Sequence, residues 1–228
     1  MQKTDADLTL KESLEYIFNN WEKGRGNSLK GNPLAIFIRD DFPKIIRRIL
    51  KQRVSDFTVK SSPGFGEWAA VPWLSILNPK ITENTQGGIY PVFLFCADGS
   101  GVYLSLIQGI SKPKQIFGPH KAKEQIENVK VACRALIPGI KGWGLEEIDL
   151  KSNSQSGRSY EKASIQAKLY SANALPSDEE LTKDLLFLVD TYKQSEQKIS
   201  EIMRESETPV EPGVKNPVDE PPSPRPTM

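Results

Sequence analysis

The sequence predicts an α+β domain, a strongly twisted antiparallel sheet flanked by N-terminal and C-terminal helices. Three observations carry that expectation. Apolar residues recur with a helical period near both ends of the chain. Between them the period changes to short runs rich in aromatic and β-branched residues, bounded by Gly, Asn, Asp or Pro. The short link Asp98-Gly99-Ser100-Gly101 favours a hairpin, and so antiparallel pairing, between the runs it joins. A chain of 228 residues, 38% hydrophobic, suffices for one good-sized domain or two small ones with a real core.

In chain order, Leu14, Ile17, Phe18 and Trp21 fall at i, i+3, i+4 and i+7 and predict a helix over about Leu8–Lys23. Gly24, Gly26 and the stretch Ser28–Asn32 end it. Leu34, Phe37 and Ile38, then Ile45, Ile46 and Ile49, mark a second helical region. Pro43 should divide it into two shorter helices. Strands are predicted at Phe57–Lys60, Ala70–Leu77, Ile89–Ala97 and Gly101–Ile110, with further short ones at Leu145–Leu150 and Lys162–Tyr170. A helix over Lys121–Leu136 interrupts them. The last helix starts at Pro176-Ser177-Asp178-Glu179-Glu180, with Ser177 as cap and Glu180 three residues on, and runs to about Arg204. From Glu205 the chain loses aromatics and holds seven of its seventeen prolines. The expected division is therefore a domain at 1–204 and a disordered proline-rich linker or tail at 205–228.

Net charge is only +1, which by itself announces no polyanionic partner. The tail hides part of the balance: Glu205, Glu207, Glu211, Asp219 and Glu220 face Lys215 and Arg225, a net of −3, which leaves +4 for the rest. Phe42–Lys60 is locally basic, with Lys44, Arg47, Arg48, Lys51, Arg53 and Lys60 against Asp56. Cys96 and Cys133 lie in apolar surroundings and read as reduced core residues; without a CxxC pair, neither zinc nor a disulfide framework is signalled. The start, MQKTDADLTLKES, has no signal pattern, and no apolar run approaches membrane-spanning length, so a cytoplasmic protein without a membrane partner is expected.

Catalytic patterns are sparse. No GxxxxGK[ST] occurs for a nucleotide, Ser105 and Ser164 lie outside any nucleophile elbow, and His120 follows Pro119 with no evident catalytic partner. Glu146, Glu147 and Asp149, with Lys151 nearby, suggest a metal-dependent nuclease, but charges on an exposed strand face explain them more simply. The expectation is a binding domain rather than an enzyme, with no cofactor and no metal.

The least ordinary segment is Pro63–Trp73. Gly64 and Gly66 flank Phe65, allowing a tight projecting turn with a large ring at its tip. An apolar ring exposed on a loop is poor packing and suggests a partner; such a wedge can enter a base step or fill the space of an extruded nucleotide. Trp73, Tyr90 and Leu94 lie on neighbouring strands and are either core or the walls of a flat apolar pocket.

The block GFGEWAAVPWLSIL and the following GGIYPVFLFCADGSGVYLSLIQG resemble the N-terminal DNA-binding domain of McrB-type proteins, the MrcB family domain of modification-dependent restriction systems. The similarity rests on Gly64-Phe65-Gly66, Val71-Pro72-Trp73, Ile89-Tyr90-Pro91-Val92, Tyr103-Leu104-Ser105-Leu106 and Gln108-Gly109, all within about residues 60–110. It implies recognition of a modified, methylated cytosine in double-stranded DNA by base flipping. Phe65 would be the wedge, in a position where the family can place Tyr, and Trp73, Tyr90 and Leu94 the base pocket. Lys60, Lys112 and Lys114 would be phosphate contacts. McrB-type proteins continue into a GTP-hydrolysing motor, and relatives are joined to nucleases. The resemblance therefore implies a motor or nuclease partner, with this sequence either a piece of a longer protein or a separate subunit. Three other readings stay open: an interaction subunit of a defence complex that never touches DNA, the nuclease at Glu146–Asp149, and RNA binding.

Overall fold

The computed structural model describes residues 7–207, and five strands in it form one antiparallel sheet in chain order: β1 (Thr58–Phe65), β2 (Glu67–Leu77), β3 (Ile89–Phe95), β4 (Gly101–Gln108) and β5 (Ser164–Ser171). Ahead of them come α1 (Leu10–Asn19), α2 (Trp21–Arg25), α3 (Pro33–Ile36) and α4 (Phe42–Leu50). Helices α5 (Ser111–Leu136) and α6 (Gln155–Ala163) lie between β4 and β5, and α7 (Asp178–Gln194) and α8 (Glu196–Glu207) follow. The predicted class holds, an α+β domain with helices at both ends of an antiparallel sheet.

Local chemistry sets the helix ends. Thr9 caps α1 in a reciprocal capping box with Glu12, and Ser177 caps α7 by accepting from the Glu180 backbone amide. The expected first helix breaks at Asn20 into α1 and α2. The second helical region does form two short α-helices, α3 and α4, with Pro43 in the first turn of α4. A π-helical stretch, Phe37–Asp41, joins α3 to α4, with the Phe42 amide donating to the carbonyl of Phe37 five residues back. The widened turn gives the proline ring room where an ordinary α turn would clash. Helix α5 begins ten residues before the predicted start and bends at Gly118 (φ 74°), immediately before Pro119. Three arginines of the basic Phe42–Lys60 segment are engaged within the fold: Arg47 donates to the carbonyl of Val59, Arg48 to that of Leu8, and Arg53 pairs with Asp190.

Leu145–Leu150 is not a strand. Leu145 makes a single bridge to Ala167, after which the chain turns to tie off the ends of the central strands. The Leu150 carbonyl accepts from the Ala97 amide, and the Asp149 amide approaches the Tyr103 hydroxyl. Helix α6 was not anticipated: it buries little more than Gly157 and Ala163, so its hydrophobic period is faint, and its cap Ser154 sits in a serine-rich run that reads as loop. Residues 205–207 of the expected tail complete α8; the rest of it lies outside the described residues.

Strand pleating gives the sheet two unlike faces. On one, Phe93 and Phe95 meet Phe42 at ring distances of 5.8 and 6.2 Å, and Phe95 also meets Phe18 and Trp21. Helix α7 covers the same side, where Tyr170 donates to Asp184. Cys96 and Cys133 are free and buried, and burial pushes their thiols up to about 11 and about 12. The opposite face carries Trp73, Tyr90, Val92, Leu94 and Ile107 beneath α6 and the start of α5, and it is incompletely filled.

Candidate functional site

Strands β1 and β2 run longer than their hydrophobic cores suggested and meet in a tight turn at Phe65-Gly66-Glu67, where Phe65 pairs with Glu67 and Gly64 with Trp68. The register shifts between Ser62 and Gly64, a bulge that bends the hairpin tip away from the regular ladder. Gly64 (φ 141°) lies so close to the opposing backbone that a Cβ there would fall 2.1 Å from the Glu67 carbonyl oxygen. Gly66 (φ 72°) faces open space. Between them the Phe65 side chain is wholly exposed, at 101% of its reference area. A phenylalanine held out by two such glycines gains nothing from packing.

The base of the hairpin is braced. The Arg25 guanidinium lies 5.3 Å from the Trp21 ring centroid and 5.4 Å from that of Trp68, and it donates to the Ala69 carbonyl at 2.7 Å. Burial between the rings lowers its pKa from the ordinary arginine value. The Trp68 indole donates in turn to the carbonyl of Asn27. The exposed ring is thus mounted on a fixed arm.

Behind the arm, the second face of the sheet holds a cavity of about 340 Å³, within the range of small-ligand pockets. Trp73, Tyr90 and Leu94 all line it, together with Thr85, Gln108 and Tyr160. Trp73 and Leu94 sit directly opposite each other on β2 and β3. Tyr90 is 4% exposed and donates to the carbonyl of Thr85 at 2.9 Å, anchoring the loop before β3 as a wall. That loop is held also to α5, through the Lys112 amide and the Gln86 carbonyl at 2.9 Å. Burial raises the phenols of Tyr90 and Tyr160, so both stay neutral donors. Of the described residues lining the cavity, Lys114 carries the only charge. The arrangement suits a neutral, flat, polar-edged ligand.

Trp73 is cross-strand partner to Ser62, and Phe65 lies three residues further along β1. Three residues reach no more than about 11 Å and paired strands lie about 5 Å apart, so the Phe65 and Trp73 backbones are within about 16 Å. The proposed phosphate lysines are placed differently. Lys114 borders the cavity, with its ammonium 3.4 Å from the Ser159 hydroxyl. Lys60 donates to the Glu83 carbonyl at 2.8 Å on the outer strand, and Lys112 is an exposed residue packed over Gly87. Sequence reading missed Thr85, Gln108, Ser159 and Tyr160, polar residues on a loop, a strand end and the faint helix α6, brought together only by tertiary packing.

The remaining chemical candidates do not converge. Glu146 pairs with Arg134 at 3.2 Å and Asp149 with Lys151 at 2.6 Å, and His120 is an exposed residue of α5. Among the described residues no group of three His, Cys, Asp or Glu side chains could hold a metal, and no helix is long and apolar enough to cross a membrane. No curated protein matches the chain. The family of MrcB-like N-terminal domains matches residues 16–197, a span that takes in the braced hairpin, the cavity and every strand. The chain therefore belongs to the MrcB-like N-terminal domain family.

Proposed function

We propose that this domain reads a methylated cytosine in double-stranded DNA by flipping it into the Trp73–Tyr90–Leu94 cavity, with Phe65 filling the vacated stack. The observation that carries the reading is the pairing of a fully exposed ring on a braced hairpin with a nearby aromatic cavity whose described lining holds a single charge, Lys114. Extruding a base costs a few kcal/mol. Each aromatic–base stack returns about 1–3 kcal/mol, so one stack at Phe65 and one in the cavity together offset the extrusion. Neither alone does so reliably. A methyl group on cytosine would fit the apolar side made by Val92 and Leu94, while the polar edge would face Gln108 and Thr85, with Gln108 held in place by its Nε2 donating to the Ile126 carbonyl. The domain acts as the specificity element of a restriction or phage-defence system, and cleavage is left to a motor or nuclease partner.

The test is binding to three matched duplexes carrying cytosine, methylcytosine and hydroxymethylcytosine at one position. Wild type should prefer a modified duplex. Phe65→Ala should weaken that binding roughly 5- to 150-fold, the equivalent of one lost stack, without changing the melting temperature. Equal affinity for all three duplexes removes modification reading. No binding at micromolar protein moves the function to protein docking through the same exposed ring.

A further inference from the structure

Beside the base cavity, between the second half of α5 and helix α6, lies another cavity of about 370 Å³. The two are contiguous, sharing Ile110, Lys114, Gln155 and Ser159 in their walls. Their electrostatics are opposite. The first holds one charge at its rim, whereas the second is lined by Lys114, Lys123, Lys130, Arg158 and Lys162 against Glu127 alone. For a chain whose net charge is +1, a local excess of four positive charges in one groove is a marked concentration.

The spacing shows how the fold builds it. Lys123 and Lys130 are seven residues apart on α5, and Arg158 and Lys162 four apart on α6, so each pair stands on one helical face. Lys130, 8% exposed, is paired with Glu127 at 3.1 Å, and Arg158 donates to the Asn153 carbonyl. Lys123 and Lys162 are exposed and make no ion pair among the described residues. Two exposed cations beside the buried Lys130 suit an anion that arrives from outside.

We infer that this groove is the backbone track for the DNA strand that carries the flipped nucleotide, taking the phosphodiesters next to it. The inference rests on the base-flipping reading. A flipped base brings its flanking phosphates to the mouth of its cavity, and the single charge of the first cavity, Lys114, is too little to neutralise them. The second begins where the first ends, and Lys114 belongs to both. The track shifts the main phosphate contacts away from Lys60 and Lys112 and onto Lys123 and Lys162.

Phosphate contacts release counterions, so each one removed lowers the slope of log affinity against log salt by about 0.9 for duplex DNA. Affinities for methylated and unmethylated duplexes are measured from 50 to 200 mM salt for wild type, K123Q/K162Q, and the charge-matched control K141Q/K183Q. Unaltered circular dichroism verifies folding, and K123R/K162R should restore wild-type behaviour. The expected result is a slope reduced by about 1.8 in K123Q/K162Q, weaker binding to both duplexes, and an unchanged preference between them. The control keeps the wild-type slope. If wild type binds and K123Q/K162Q retains its slope, or the control loses as much, the track is overturned while base reading stands. If wild type binds no duplex, base reading fails first and takes the track with it.

Discussion

The two faces of the sheet are made from alternate residues of the same strands, yet they solve different problems. On β3, Phe93 and Phe95 point to the side closed by α1, α4 and α7, where both are fully buried and their rings meet Phe18, Trp21 and Phe42. Tyr90, Val92 and Leu94 point the other way, toward a cover made only of a short polar helix, a bent helix and a loop. The composition follows the task. Among the sheet residues, β3 turns Phe93 and Phe95 to the closed face, while Tyr90 on β3 and Trp73 on β2 line the cavity. Pleating therefore separates a filled face from one with open space at a resolution of one residue, and the proposed recognition falls on the second.

The sharpest way to break this comparison is to truncate one ring on each side. Phe93→Ala removes a fully buried ring from the closed face and should cost about 3–5 kcal/mol, read as a large fall in the urea midpoint. Trp73→Ala removes a half-buried ring that already borders open space, so its stability loss should be clearly smaller. Its loss of preference for a methylated duplex should be the larger effect. Similar stability losses for both would mean that the cavity face is ordinary core.

Legibility from sequence divides along the same line. The closed face was readable because packing imposes period: Leu14, Ile17 and Trp21, or Leu185, Leu188 and Tyr192, announce themselves at helical spacing. The hairpin tip was readable because glycines flanking an aromatic have few other uses. The cavity was only half readable. Trp73, Tyr90 and Leu94 look the same in a core as in a pocket, and periodicity left both open. What decides between them is the cover, and α6 carries almost no hydrophobic signal. The two shorter helices expected around Pro43 are there, but the π turn that joins them leaves no mark in the hydrophobic pattern.

The hairpin offers a test of middle size, with the turn rather than the faces compared. Gly64→Ala forces a Cβ into the Glu67 carbonyl and should cost about 1–3 kcal/mol, disturbing the hairpin. Gly66→Asn keeps a residue that tolerates the left-handed region where nothing lies within 4 Å, and should cost a few tenths of a kcal/mol. Binding to a methylated duplex should collapse in the first variant and persist in the second. If both bind as wild type, the position of Phe65 does not matter and the wedge reading fails.

The smallest expected effect is a flat line. A cavity lined, apart from Lys114, by uncharged groups should read its ligand independently of pH, whereas phosphate contacts respond to salt. Burial raises the pKa of Tyr90 and Tyr160, which favours the protonated phenol in the folded state. A raised pKa contributes stability that is complete below the ordinary tyrosine value of about 10 and lost as pH rises through the folded value. Between pH 6 and 9 the ratio of affinities for methylated and unmethylated duplexes should therefore stay constant within error. Tyr90→Phe sharpens the point, because it removes the hydrogen bond to Thr85 while leaving the ring. It should reduce the ratio at every pH by the same factor. A ratio that titrates near neutrality would show that a charged group contributes to base reading, and the neutral cavity would not be the reader.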